Sequence, residues 1–144
     1  MKTIIRSIFI IIIILAASHL SPAQVLFQND YRESVYVAFA RYVQNESDTG
    51  WSTKGWSMVT PGSSIKVFNS IGPNDSIGYF VITKISETPY PGTKKLLVRI
   101  NEPFLIDDAD KESVLLKHPE YEWRLFRMIR LKPGKLTGAI SFKG

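Results

Sequence analysis

The sequence contains no cysteine, and only two of its 144 residues are histidine. A chain without cysteine forms no disulfide and has no thiolate for nucleophilic catalysis, redox chemistry or metal binding. One histidine, His19, lies in the apolar N-terminal stretch, which leaves His118 for the rest of the chain. No serine stands in a G-x-S-x-G turn, and no glycine motif for phosphate or dinucleotide binding occurs. The composition therefore gives no support to the common nucleophilic and nucleotide-dependent enzyme classes.

The N-terminal apolar stretch is too short for a membrane span. Residues 8–17 are ten consecutive apolar residues, whereas a transmembrane helix needs about 20. Lys2 and Arg6 precede this stretch, and Ser21 and Ala23 follow it with the small-x-small spacing that signal peptidase requires. The pattern predicts a secretion signal that is cleaved after Ala23. The alternative is a membrane anchor that is retained.

Cleavage at this point leaves residues 24–144 as a single domain, exported to the periplasm or the extracellular space. Loss of Lys2 and Arg6 lowers the formal net charge from +5 to +3. The remaining basic residues are scattered along the chain, which is not the clustered pattern of a nucleic-acid-binding protein. The charge predicts at most a weak preference for anionic surfaces, such as envelope polymers or lipid head groups.

Turn residues divide the domain into many short segments. Pro-Gly pairs at 61–62, 91–92 and 133–134 suit type II turns, and a further break is expected at 72–75. Short strands separated by such turns predict an all-β, mainly antiparallel fold, either a small β-sandwich or a partly open barrel. One short helix is expected near 108–117, capped by Asp107 or Asp108. The predicted strands are Val25–Gln28, Ser34–Val43, Trp56–Val59, Ile65–Asn69, Gly78–Ile85, Lys95–Ile100, Trp123–Leu131 and Leu136–Phe142.

Two of these strands carry specific expectations about pairing. Ser34–Val43 is apolar on both faces, which predicts a central strand covered on both sides. Trp123–Leu131 and Leu136–Phe142 flank the Pro-Gly turn at 133–134, which predicts that they pair as a hairpin.

One segment resembles a known family. Gly50-Trp51, Gly55-Trp56 and Pro61-Gly62 follow Asn29 and the strand at 35–42 in the order seen in the uncharacterised family called domain of unknown function 1036. The resemblance covers Val25 to about Val67, roughly a third of the chain. It implies an exported, β-rich domain, and it implies no activity and no catalytic residue.

The chain departs from that family at three positions. Ser57 stands where the family has the second tryptophan of a Trp-Trp pair. Gln28 and Ile65 stand where family members often carry cysteines, so a disulfide framework is lost.

Trp51, Trp56 and Lys54 are the candidate ligand-binding residues. Both tryptophans follow a glycine, which leaves space for a sugar ring or an apolar group to stack on the indole. Structural packing of both tryptophans is favoured over such a binding platform. Their spacing of five puts them on opposite faces of a regular strand, with Trp56 buried and Trp51 more exposed. A bulge at Gly55 would place both on one face.

Two charged groups have simpler explanations than a binding site. The acidic run at 107–112 lacks the glycine and the terminal glutamate of an EF-hand, so a solvated helix start is favoured over Ca²⁺ binding. Arg99, Arg124, Arg127 and Arg130 are favoured as surface residues with ion pairs over an anion-binding strip.

The sequence favours a non-catalytic binding or interaction module at the cell envelope, with no cofactor and no metal. The partner is a glycan or an envelope protein. The alternatives are a small hydrolase acting on envelope polysaccharide and a purely structural periplasmic protein. An exposed, co-planar pair of tryptophans would favour glycan binding. Two facing carboxylates would favour the hydrolase, and a large exposed apolar patch would favour a protein partner.

Overall fold

The computed structural model describes residues 24–44, 49–68, 75–83, 92–129 and 137–143. The predicted secretion signal at 1–23 and the Pro-Gly turn at 133–134 lie outside these residues. Within them, no helix is both long enough and apolar enough to cross a membrane.

Within the described residues, nine strands form two sheets, and one short helix lies between the seventh and eighth strands. One sheet has six strands in the order β6-β8-β5-β2-β3-β7, all antiparallel, and it curls into a half-barrel. The other has the order β4-β1-β9, in which β1 pairs antiparallel with β4 and parallel with β9. The predicted mainly antiparallel β fold is confirmed. The elements are β1 Gln24–Asn29, β2 Val35–Gln44, β3 Thr49–Val59, β4 Ser64–Lys66, β5 Ser76–Thr83, β6 Lys94–Val98, β7 Phe104–Ile106, α1 Glu112–Lys117, β8 Glu122–Ile129 and β9 Thr137–Phe142.

The central position of β2 is confirmed. It lies between β3 and β5, and its two faces belong to two different hydrophobic clusters. Val35, Val37 and Phe39 face the three-stranded sheet, whereas Ala38 and Ala40 face the interior of the half-barrel. One residue departs from the expected cover, because Tyr36 is 38% exposed.

The predicted hairpin between the last two strands is wrong. β8 pairs with β5 and β6, whereas β9 lies in the other sheet beside β1. The cause is a difference in the cores that the two strands serve. Phe126 of β8 fills the half-barrel, and Ile140 and Phe142 of β9 pack between the sheets.

The core between the two sheets is aromatic and centred on Phe27, which is fully buried. Its ring lies 5.7 Å from those of Phe39 and Tyr79, both edge-on, and 6.4 Å from that of Phe142. Because these residues come from β1, β2, β5 and β9, a single side chain links both sheets.

Asn29 is a buried polar residue at the end of β1, and both the nitrogen and the oxygen of its side-chain amide form hydrogen bonds. Its Nδ2 donates to the carbonyl oxygens of Glu33 and Val59, both at 2.8 Å, and its Oδ1 accepts from the backbone N–H of Tyr31 at 3.0 Å. The side chain therefore shapes the turn after β1 and fastens it to the end of β3.

The remaining differences from the sequence prediction lie in polar or short segments. β3 begins at Thr49, whereas the predicted strand began at Trp56. The first half of β3 was missed because it has too few apolar residues to show the alternation of a strand. β7 has three residues and was not expected. α1 begins after Lys111, so the predicted caps are wrong. Asp108 adopts a left-handed φ of 52° and its carboxylate pairs with Lys111 at 2.8 Å.

Candidate functional site

A β-bulge in β3 brings the two candidate tryptophans to one face of the sheet. Val37 pairs with Ser57 and Phe39 with Lys54, so Gly55 and Trp56 together lie opposite the single residue Ala38. The extra residue resets the alternation, and both Trp51 and Trp56 pack against the cluster inside the half-barrel. The expectation of an unbroken strand is therefore wrong. Lys54 pairs with Phe39 and points to the opposite face, where it is exposed.

The bulge depends on the missing side chain of Gly55. A Cβ at this position would lie 2.8 and 2.9 Å from two ring carbons of Phe104 and 3.1 Å from the Cβ of Ala38. The Phe104 ring is held by its packing on Trp56, and Ala38 belongs to the neighbouring strand, so glycine lets Phe104 close over β3.

We expect Gly55→Ala to lower the free energy of unfolding by about 1–3 kcal/mol, because the methyl group forces Phe104 and the strand apart. Gly50→Ala is the matched control in the same strand. Its added Cβ meets only the Asp108 carboxylate, 3.1 Å away, and this exposed side chain can move. Urea denaturation of both variants measures the difference, and equal losses would contradict the close approach at Gly55.

Trp56 is half-buried and joins β3 to the chain that follows β6. Its Nε1 donates to the carbonyl oxygen of Arg99 at 2.8 Å. Its ring lies edge-on to Phe104 at 5.6 Å and tilted against Phe80 at 6.2 Å. Trp51 is also half-buried, so the prediction that Trp56 is a fully buried anchor is wrong.

Three further hydrogen bonds connect β3 with β6 and hold the half-barrel in its curled shape. β6 and β3 are separated in the sheet by β8, β5 and β2, yet Thr53 Oγ1 donates to the Leu97 carbonyl at 2.6 Å. Ala109 bridges the same strands, because its N–H donates to the Trp51 carbonyl and its carbonyl accepts from the Leu97 N–H. Together with the Trp56 bond, these contacts connect β3 with β6 and with the chain that follows β6.

An apolar groove of about 420 Å³, which we call the mouth groove, lies at the end of the half-barrel where β2 begins and β3 and β5 end. Its floor contains a row across three neighbouring strands, because Tyr36 pairs with Met58 on one side and Ile82 on the other. Tyr36 is 38% exposed and Met58 is 56% exposed. Among the lining residues that the structure describes, Glu102, at the rim, is the only charged one, and its carboxylate pairs with Arg99 at 3.1 Å. The groove is lined by Tyr36, Trp56, Met58, Ile82, Ile100, Asn101, Glu102 and Pro103.

Trp51 lines a different and more polar pocket of about 200 Å³. Its other lining residues include Ser52, Asp107 and Asp108. The ring of Trp51 is already in contact with protein groups, since Lys94 Nζ lies 5.2 Å from its centroid and the Tyr42 ring lies at 5.4 Å. The two tryptophans therefore share a face but do not form one continuous platform.

Two acids of the run at 107–112 form ion pairs. Asp108 pairs with Lys111, and the carboxylate of Asp110 lies 3.8 Å from Lys94 Nζ. Among the residues that the structure describes, no three His, Cys, Asp or Glu side chains lie close enough to hold a metal ion.

Of the three candidate residues, only Trp56 lies in the mouth groove. Sequence reasoning missed Tyr36, Met58, Ile82 and Ile100, because they belong to separate segments of the chain that line one groove only after the strands have paired. A partial signal was present in β2. Alanines at 38 and 40 suit the narrow interior of a half-barrel, whereas the large Tyr36 on the same face does not fit inside it.

Comparisons of the chain with protein-family models, with curated proteins and with solved structures found no match. The resemblance to domain of unknown function 1036 therefore stays a prediction, which rests on the segment from Gly50 to Gly62 and the strands before it.

Proposed function

We propose that the protein is an exported, non-catalytic binding module whose mouth groove receives apolar side chains of another envelope protein. One observation carries the proposal. Tyr36 stands between the fully buried Val35 and Val37 on the central strand β2, yet it is 38% exposed and lines the floor of the groove. Exposed apolar surface that is continuous across three strands is the mark of an interaction site.

The composition of the groove favours a protein over a glycan. Tyrosine, tryptophan and methionine are enriched at the centres of protein interfaces, and polar residues form their rims. The mouth groove has this arrangement, with Tyr36, Trp56 and Met58 inside and Asn101 and Glu102 at the edge. A glycan platform would need both tryptophans side by side, and they line separate cavities.

The hydrolase alternative receives less support from the groove. Glycoside hydrolysis by the usual route needs two carboxyl groups on either side of the bond that is cut. Glu102 is the single carboxylate among the groove's described lining residues, and it is paired with Arg99.

A peptide library displayed on phage tests the proposal with a defined probe. Peptides selected on the wild-type protein are expected to carry large apolar side chains. Met58→Glu places a charge on the floor of the groove, and we expect it to weaken binding of these peptides at least about 10-fold, measured by fluorescence polarisation.

Leu26→Glu is the matched control, because Leu26 is 41% exposed on the other sheet. Its peptide affinities should equal those of the wild type. Peptides that bind Met58→Glu as tightly as the wild type would refute the groove as the site. A glycan-array signal that depends on Trp51 and not on Met58 would favour the glycan alternative.

A further inference from the structure

The last part of β3, beside the mouth groove, has a strand neighbour on one side only. Along one side, β3 pairs with β2 from Thr49 to Val59. Along the other side, it pairs with β7 only from Thr53 to Gly55. Among the strands that the structure describes, no other one pairs with β3. The edge of β3 at 56–59 is therefore open on the side away from β2.

The sequence before β7 explains why the pairing stops at this point. The ladder between β3 and β7 ends at the pair Gly55–Phe104. The residue before Phe104 is Pro103, which has no N–H and so cannot extend the ladder as a donor. Pro103 and the three residues before it line the mouth groove instead. The groove therefore begins where β7 ends.

The open edge of β3 presents backbone hydrogen-bonding groups. Successive residues of a strand direct their N–H and C=O groups to opposite edges, so either Ser57 or Met58 directs this pair away from β2. Within the described part of the chain, neither residue forms a backbone hydrogen bond outside the pairing of β3 with β2. Such groups at the edge of a sheet are a template for a further strand.

The alternation of side chains along β3 connects this edge with the groove. Met58 pairs with Tyr36 and lies on the floor of the groove. Ser57 pairs with Val37, which belongs to the core between the two sheets, on the opposite face. Side chains that lie directly opposite each other in neighbouring strands share a face. A strand added beside Met58 would therefore direct every second side chain into the groove.

We propose that the mouth groove binds its partner as an extended strand, which adds to the edge of β3 next to Pro103. This inference rests on the proposed function, because it concerns the same groove. The partner is a protein segment with an apolar side chain at every second position. Its backbone bonds to β3, and its apolar side chains fill the groove, as in other cases of strand addition.

An amphipathic helix fits the site less well than a strand. The N–H and C=O groups of a helix are bonded within the helix. A helix in the groove would cover the open edge of β3 and leave the backbone groups of Ser57 or Met58 unpaired, which costs free energy. A strand pairs with the same groups.

The peptides selected on phage distinguish these two modes by their sequences. We expect their apolar residues at spacings of two, the period of a strand. Peptides that bind as a helix would carry them at spacings of three and four. Spacings of three and four would overturn the inference.

N-methylation of single backbone nitrogens in a selected peptide is the sharper test. We expect it to weaken binding about 10-fold at every second residue, where the N–H donates to β3, and to leave affinity unchanged at the residues between. Fluorescence polarisation measures each affinity. An equal loss at all interior positions, as a helix would give, would overturn the inference, and so would the absence of any loss.

Amide hydrogen exchange of the protein locates the added strand on β3. We expect saturating peptide to slow exchange at least about 10-fold at one amide, that of Ser57 or Met58. The amides of β9, an edge strand of the other sheet, are the control and should not change.

The outcomes separate this inference from the proposed function. Peptides that require Met58 but protect neither amide would refute strand addition and leave the groove as the binding site. Peptides that bind Met58→Glu as tightly as the wild type would refute the groove itself, and strand addition with it.

Discussion

Phe27→Ala is expected to lower the free energy of unfolding by about 3–5 kcal/mol, the range for removal of a large aromatic side chain from a core. Phe27 is fully buried, and its ring contacts aromatic rings from β2, β5 and β9. The cavity would lie between the two sheets, where neither sheet can close over it without moving the other. Urea denaturation followed by tryptophan fluorescence measures the loss.

Two control variants separate the cavity from other effects of substitution. Phe27→Leu retains most of the volume and should cost less than about 1.5 kcal/mol. Leu26→Ala lies next in sequence on the opposite, exposed face of β1, and its effect should be within about 0.5 kcal/mol. If Phe27→Ala cost no more than Leu26→Ala, the three-stranded sheet would not pack on the half-barrel as described.

Asn29→Asp is expected to destabilise the protein by about 3 kcal/mol at neutral pH, although it only replaces the side-chain NH2 group by an oxygen. The carboxylate has no N–H to donate, so the carbonyl oxygens of Glu33 and Val59 lose their partner. It also places a negative charge against these two oxygens in a fully buried site. The loss is measured by chemical denaturation at several pH values.

The pH dependence of this variant has a definite sign. Burial against carbonyl oxygens raises the pKa of the new carboxyl group in the folded state above its value in the unfolded chain. Stability is therefore highest below the unfolded-state pKa and falls as the pH rises through the folded-state pKa. Asn29→Ala removes the same hydrogen bonds without adding a titratable group, so its destabilisation should not follow this profile. An Asn29→Asp profile that ran parallel to that of Asn29→Ala would contradict the burial of this site.

The fold class could be predicted from the sequence because its signals are local. The apolar residues of β2 alternate on both faces, and turn residues interrupt the chain between short strands. Gly62 shows how direct such a signal is, since it adopts the positive φ of 72° that its place after Pro61 predicts. The central position of β2 followed from the same local pattern.

Strand pairing at the C-terminal end was not decided by local signals. The Pro-Gly pair in the sequence between β8 and β9 predicts a hairpin, yet the two strands belong to different sheets. Phe126 fits the half-barrel, and Phe142 fits against Phe27 and Tyr31 between the sheets. The pairing of β8 and β9 depends on the shapes of two hydrophobic cores. Each core is built from segments that are far apart in the sequence, so a short stretch of sequence does not reveal its shape.

The candidate site shows the same division. The sequence by itself determined that Trp56 follows a glycine in a strand, and that the chain has no cysteine for disulfide or thiolate chemistry. Only the tertiary structure decided that β3 bulges at Gly55. The reason is that Phe104 and Ala38, which pack closely on this glycine, come from other strands. The tertiary structure also decided that Tyr36, Met58 and Ile82 form one groove floor, since residues on three strands become neighbours only when the strands pair in register.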